Sequence, residues 1–157
     1  MSDRGEARNE SRKRAMIIVI GAGPAGLAAA EAASRKGDEV ALIDSAPRKG
    51  GQYWRQPDES FGDQSSQHFD LETGLLLINA VKARKEIEVW SGAQIWSATH
   101  KDGVNTLRVL LNGKEKIVNT GNLILCTGAY DRTLPFPGWD IPGVMTPGGV
   151  QSLIKGH

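Results

Sequence analysis

The feature that most constrains the fold is a glycine-rich turn between an apolar run and an alanine-rich stretch. Gly21, Gly23 and Gly26 follow the run Met16–Ile20 at G-x-G-x-x-G spacing. The run predicts a buried parallel strand, and the stretch after it predicts a helix that begins at Pro24, whose missing N–H has no intrahelical partner there. The first turn of such a helix attracts anions. The pattern therefore predicts a dinucleotide site; the alternative is a glycine turn that only packs a helix on a sheet.

A second strand, predicted over residues 39–43, ends on Asp44. Gly37, just before it, suits the left-handed residue that ends a helix. In dinucleotide-binding folds a carboxylate at this position accepts hydrogen bonds from ribose hydroxyls, and its charge repels a 2′-phosphate. Asp44 therefore favours FAD or NAD over NADP. The alternative is that Asp44 is a loop residue or a helix cap.

Length and composition limit the kind of protein. The 157 residues suit one domain, which we expect over 16–157 after a disordered N-terminal arm over 1–15. The net charge of +1 gives no electrostatic reason for a nucleic-acid or membrane partner, and no apolar run approaches the ~20 residues of a membrane span. A single cysteine, Cys126, excludes an internal disulfide and a C-x-x-C redox or zinc site. We expect a cytoplasmic protein without a metal.

The rest of the chain alternates helix and strand signals. Leu71, Leu75 and Ile78 mark the predicted helix 69–84. The Asp102-Gly103 and Asn112-Gly113 dipeptides predict hairpin turns, and so an antiparallel meander where a Rossmann unit would carry a crossover helix. The expected fold class is therefore α/β, a Rossmann-like domain with a parallel sheet and a small β-meander. The other predicted elements are strands at 86–90, 94–99, 106–111, 115–118 and 123–126, and a short helix at 148–155.

The order of these parts resembles the FAD domain of two-dinucleotide-binding-domain flavoproteins, the glutathione-reductase-like superfamily. The resemblance is carried by Gly21–Gly26 with Asp44, by Pro47–Gln52, and by Leu123–Ala129, which contains a stretch similar to the A-T-G motif of that superfamily. Cys126 stands where alanine is more usual in this motif, and we expect it to be buried and inert. Residues 50–55 and 128–139 are most similar to the group that contains the α-type subunits of opine oxidase, the B-type subunits of hydrogen cyanide synthase, and the dye-linked proline or hydroxyproline dehydrogenases.

The resemblance implies FAD as the cofactor and assigns residues to it. Gly51 and Gln52 would lie along the middle of the cofactor toward the flavin, and the backbone of Gln94 would meet the adenine. The chain would turn beside the cofactor just before Arg132. The resemblance identifies no catalytic residue, because His68, Tyr53 and His157 lack a partner at a defined spacing. The full set of expected cofactor-binding residues is Gly21, Gly23, Pro24, Ala25, Gly26, Asp44, Gly51, Gln52, Gln94, Thr127, Gly128, Ala129 and Arg132.

The resemblance also implies a function. The implied protein is one subunit of an FAD-dependent oxidoreductase that oxidises an amine, opine or imino acid. Its implied partner is a second flavoprotein subunit. The superfamily continues into an NAD(P)-type domain and then returns to complete the FAD domain, so we expect this chain to be the N-terminal third of such a protein. One alternative is a non-catalytic truncated nucleotide-binding fragment. Another is a plain NAD-dependent dehydrogenase, which the meander and Gly50–Gln52 disfavour. No cysteine pair follows Gly50, which argues against a disulfide reductase.

Overall fold

A computed structural model describes residues 16–55 and 70–156. Seven strands and three helices form in these residues. The arm at 1–15, His68 and His157 lie outside the described residues, so the predictions made for them stay predictions. The elements are β1 (Ile17–Ile20), α1 (Pro24–Ser34), β2 (Val40–Asp44), α2 (Leu71–Ala83), β3 (Ile87–Ser91), β4 (Gln94–Lys101), β5 (Val104–Leu111), β6 (Lys114–Thr120), β7 (Asn122–Leu125) and α3 (Pro147–Gly156).

The centre of the fold is a four-stranded parallel sheet with the order β3-β2-β1-β7. β1 is a run of β-branched residues, which favour strands and suit a strand covered on both faces. Val19 and Leu42 belong to a core cluster with α1 and α2, whereas Ile18 and Ile43 belong to a cluster with the meander. Successive residues thus face opposite layers, and all four are fully buried.

Helix α1 packs closely on the sheet because its residues are small. It begins at Pro24, as predicted, and ends at Ser34, two residues before the predicted end. The chain then leaves the helix through a turn in which the Gly37 N–H donates to the Ser34 carbonyl oxygen at 2.9 Å. Gly37 has φ +75°, so the left-handed residue expected there is confirmed.

The antiparallel meander is confirmed as a three-stranded sheet with the order β4-β5-β6. Asp102-Gly103 and Asn112-Gly113 both have positive φ at both residues, which is the backbone of the hairpin turns predicted for these dipeptides. Continuous pairing up to each turn makes the strands longer than predicted. Leu107 and Val109 are fully buried against the parallel sheet, so the meander covers the face opposite α1.

The last elements complete the expected fold class, which the topology confirms. β7 runs parallel to β1 and lies at an edge of the sheet within the described residues. It ends at Leu125, one residue before the predicted end, and α3 begins one residue before its predicted start. Of the three helices in the described residues, none has the length and apolar character needed to cross a membrane.

Candidate cofactor site

Three of the predicted segments meet at one edge of the parallel sheet. The turn at 21–26 follows β1, Asp44 ends β2, and the loop of Thr127–Ala129 follows β7. These strands are parallel neighbours, so their carboxyl ends lie side by side. The chain leaves β1 toward β2 on one side and returns as β7 on the other, which makes the gap between β1 and β7 the point where open α/β sheets bind ligands.

The three glycines of the turn differ in whether the surrounding packing leaves room for a Cβ. A Cβ on Gly21 would lie 2.2 Å from the Cys126 carbonyl oxygen, and one on Gly26 would lie 1.7 Å from the Gly21 oxygen. Gly23 has an extended backbone, at φ −76° and ψ −175°, and a Cβ there would meet only the Gly51 Cα at 3.9 Å. The packing of the described part of the chain therefore requires glycine at positions 21 and 26 but not at 23.

The first turn of α1 is open to an anion. The Leu27 N–H donates to the Gly23 oxygen at 2.9 Å, so the helix starts directly at the glycine turn. It has no side-chain cap and no acidic residue in its first turn. Pro24 and Ala25 occupy this turn as predicted. Its partial positive charge is therefore not neutralised by a side chain of the first turn.

Asp44 ties the glycine turn to the loop after β2. One oxygen of its carboxylate accepts a hydrogen bond from the Ala22 N–H, and the other accepts one from the Ala46 N–H at 2.7 Å. The carboxylate is half-buried. Each of its oxygens keeps a further lone pair for another donor.

The segment Gly50–Trp54, here called the bridging loop, lies against the glycine turn. The Gly50 N–H donates to the Ala22 oxygen at 2.8 Å. A Cβ on Gly51, which has φ +60°, would lie 3.0 Å from the Gly23 Cα. The Gln52 side-chain nitrogen donates to the Ala129 oxygen at 3.4 Å. The bridging loop therefore joins the turn after β1 to the loop after β7.

The remaining predicted residues lie around this centre. The Ala93 N–H donates to the Asp44 backbone oxygen at 2.9 Å, which places Gln94 on the β2 side of the site. Gly128 has φ +71° and turns the chain after β7. Thr127, Gly128 and Arg132 are exposed, and Arg132 lies three residues beyond Ala129.

Cys126 differs from the expectation. It is half-buried rather than buried, because β7 lies at the edge of the sheet. Its backbone contacts the site: its N–H donates to the Ile20 oxygen at 2.7 Å, and its carbonyl group lies against Gly21.

Sequence reasoning missed two contacts of the bridging loop. Trp54 is buried against Gly74 of α2, and the Lys155 Nζ of α3 donates to the Tyr53 oxygen at 2.8 Å and lies 4.9 Å from the Tyr53 ring centroid. An isolated glycine within a helical pattern was the available signal for the first contact. Beside the loop, burial lowers the pKa of Lys49, and the positive charge of Lys82 lowers it further.

Residues 15–153 match the family described as pyridine nucleotide-disulphide oxidoreductase. The chain belongs to this family. The opine oxidase A-type subunit of Agrobacterium tumefaciens (strain Ach5) is 38% identical over 145 residues, which cover 88% of this chain and 29% of that protein. The hydrogen cyanide synthase subunit HcnB of Pseudomonas protegens is 34% identical over 142 residues, with coverage of 88% and 29%. This member of the family thus spans under a third of the length of these relatives.

A solved structure has the same fold. L-proline dehydrogenase from P. horikoshii superposes with a TM-score of 0.72 at 22% identity, over 90% of this chain and 28% of that one. The resemblance predicted from the sequence is therefore confirmed, both in the family and in the position of the match within longer proteins. The family match, together with the geometry at the sheet edge, supports a dinucleotide cofactor.

Proposed function

We propose that this chain is the FAD-binding part of one subunit of an FAD-dependent oxidoreductase. The observation that carries the proposal is Gly23. Among the residues that the structure describes, nothing requires glycine there, because a Cβ would be tolerated and φ is negative. A pyrophosphate that approaches the backbone closely does require it. The opposing Gly51 supports FAD in particular, since a second glycine-bearing loop along the cofactor belongs to the resemblance that implies FAD.

The proposed residues follow the sheet edge from β2 to β7. Asp44 would accept hydrogen bonds from the adenosine ribose through its remaining lone pairs, and the backbone of Gln94 would meet the adenine. The pyrophosphate would lie at the first turn of α1, contacted by the turn at 21–26. Gly51 and Gln52 would lie along the middle of the cofactor. The flavin half would lie on the β7 side, beside Thr127, Gly128 and Ala129, with Arg132 near it.

The chemistry belongs to the cofactor, and the protein binds and orients it. FAD, when bound, supplies the capacity to accept a hydride or electrons from a substrate. The residues of this chain would hold the cofactor at its two ends. Asp44 would fix the ribose end, because its carboxylate is itself held by two backbone N–H groups. The Gln52–Ala129 hydrogen bond fixes the loop on the flavin side.

The substrate class and the partner are proposed from the relatives. The names of the similar proteins indicate oxidation of an opine in one case and dehydrogenation of L-proline in another. We extend this to an amine, opine or imino-acid substrate for the whole protein. The opine oxidase relative and HcnB are both named as subunits, which supports a further subunit, and we propose a flavoprotein in that role.

The test is cofactor uptake by the purified chain and by the Gly23→Ala variant. The wild-type chain, incubated with FAD and desalted, is expected to keep the visible absorption of a bound flavin. Gly23→Ala is expected to fold with an unchanged melting temperature but to lose the flavin, because its new methyl group occupies the space of the pyrophosphate. If this variant fails to fold, the inference that the fold itself tolerates a Cβ at position 23 is wrong. A wild-type chain that stays colourless would contradict FAD binding by these residues.

Competing cofactors separate this proposal from a plain NAD-dependent dehydrogenase. Titration calorimetry with FAD, NAD and NADP is expected to give the highest affinity for FAD and the lowest for NADP, whose 2′-phosphate Asp44 would repel. Tighter binding of NAD than of FAD would favour the dehydrogenase instead.

A further inference from the structure

Every residue of the bridging loop contacts another part of the fold. Gly50 is bonded to Ala22, Gly51 lies against Gly23, Gln52 is bonded to Ala129, and Tyr53 is bonded to Lys155. Gln52 and Tyr53 are exposed, so their contacts lie at the surface. Trp54 differs from them because only 8% of its surface is exposed. It is therefore the residue whose side chain anchors the loop in the core.

The Trp54 ring fits into a gap on the surface of α2, where Gly74 has no side chain. A Cβ on Gly74 would lie 2.6 Å from both Cγ and Cδ2 of the Trp54 ring, well inside van der Waals contact. Glycine within a helix costs about 1 kcal/mol relative to alanine, so a packing reason for Gly74 is needed. The indole ring of Trp54 supplies that reason.

The two ends of the bridging loop, Gly50 and Trp54, are also in close contact with each other. The Trp54 N–H donates to the Gly50 oxygen at 3.1 Å, and a Cβ on Gly50 would lie 2.4 Å from the Trp54 oxygen. A shift of Trp54 is therefore passed on to Gly50 and Gly51. Gly51 lies directly beside Gly23, since a Cβ on Gly51 would lie 3.0 Å from the Gly23 Cα, so a displacement of the loop changes the separation of these two glycines.

We propose that Trp54 and Gly74 act as a lock that positions the bridging loop at the glycine turn. The fit between the ring and the helix sets the distance between Gly51 and Gly23. This distance sets the width of the space in which the dinucleotide would lie. Both are positioning residues, because they act on the cofactor through Gly51 and Gln52. The cofactor part of the inference rests on the proposed function, whereas the lock itself does not.

The test uses Gly74→Ala, the double variant Trp54→Leu with Gly74→Ala, and Leu76→Ala as a control. The new methyl group of Gly74→Ala should push the ring and the loop outward, whereas the smaller leucine should make room for it. Leu76 lies on the same helix and is 69% exposed, so its truncation should change nothing. Far-UV circular dichroism establishes that each variant is folded.

Two readouts are needed. Hydrogen exchange of the amides of residues 50–54, measured without cofactor, reports the lock. Quenching of flavin fluorescence reports the affinity for FAD. In Gly74→Ala we expect faster exchange in these residues and an affinity for FAD lower by about tenfold or more, because overpacking forces side chains and backbone to shift. The double variant should restore both.

The outcomes are distinct. Unchanged exchange in Gly74→Ala, or no recovery in the double variant, overturns the lock. Faster exchange with an unchanged affinity for FAD overturns its role in positioning the cofactor loop. If the wild-type chain takes up no FAD, the proposed function fails, and the exchange measurement alone decides the lock.

Discussion

At the scale of the residue, Asp44 has a structural role in addition to its proposed role in binding the ribose. Its carboxylate accepts N–H groups from the glycine turn and from the loop after β2. The charge therefore holds two loops of the site together before any cofactor binds. Charge-assisted hydrogen bonds of this kind are stronger than neutral ones.

Asp44→Asn is expected to lower the free energy of unfolding by about 1–3 kcal/mol, because an amide can accept through one oxygen only and turns its NH₂ group toward the other N–H. It should also weaken binding of FAD. Urea unfolding and a flavin titration measure the two effects. Asp102→Asn makes the same chemical change at an exposed hairpin position, where asparagine suits the backbone, and should change neither. Equal stability of Asp44→Asn and wild type would contradict the task assigned to this carboxylate.

At the scale of the element, an ion-pair cluster joins α1 to the end of α2. The Arg35 Nε lies 2.9 Å from the Glu31 carboxylate, and the Arg84 Nη2 lies 3.0 Å from it. The hydrogen bond from Arg35 lowers the pKa of Glu31 below its ordinary value of 4.5, although burial opposes this, and Arg84 lowers it further. The cluster is a local link between helices that also share a core cluster.

This cluster predicts a pH-dependent stability. Because the pKa of Glu31 is lower in the folded chain, its contribution is complete above the unfolded value of 4.5 and is lost as the pH falls through the folded value. Glu31→Gln should therefore lower the urea midpoint at neutral pH, and the difference from wild type should shrink in acid. Glu88→Gln changes an exposed glutamate of β3 and should show no such dependence. A Glu31→Gln difference that is constant with pH would contradict the cluster.

The meander is held in register by its two hairpin turns. Gly113 has φ +73°, a conformation that costs an L-residue about 1–2 kcal/mol. Gly113→Ala should lower the free energy of unfolding by about that amount in urea. Gly121→Ala is the matched control, since its φ is not positive and a Cβ there would make only ordinary contact, at 3.9 Å from the Gly103 oxygen. Similar losses in both variants would show that the turn conformation is not the cause.

At the scale of the whole molecule, many large apolar side chains between residues 124 and 154 are exposed. Leu125 of β7 is 67% exposed and Ile154 of α3 is 68% exposed. An apolar surface of this kind promotes association. The exposed large apolar residues in this part are Ile124, Leu125, Tyr130, Leu134, Phe136, Trp139, Ile141, Val144, Met145, Val150, Leu153 and Ile154.

The purified chain is therefore expected to self-associate as its concentration rises. Sedimentation velocity should detect this, and Leu125→Lys with Ile154→Lys should shift the chain toward monomer because charges disfavour burial of this surface. Leu76→Lys introduces a charge at an equally exposed residue of α2 and should leave the association unchanged. A wild-type chain that is monomeric at every concentration would contradict the prediction.

The predictable parts of the fold were those set by local chemistry. The strand–turn–helix at Gly21–Gly26 follows from glycine and proline at fixed positions, and the hairpins follow from Asp-Gly and Asn-Gly dipeptides. The order of the strands in the sheet was not predicted, because it depends on pairing between segments far apart in the chain. In α2 the pattern predicted Leu75 as an apolar position, but Leu75 is partly exposed, whereas Gly74 is buried because the Trp54 ring packs on it.

The sequence by itself determined the glycine turn, the acid that ends β2 and the hairpins, because each depends on residues close together in the chain. It also determined the family, through three separate motifs taken together. Only the tertiary structure decided which glycines the packing requires, what Asp44 holds, and which residue fills the gap at Gly74. These depend on distances between segments such as Gly51 and Gly23 or Trp54 and Gly74, which are far apart in the chain. Such distances result from the packing of all layers together, and no local pattern of residues encodes them.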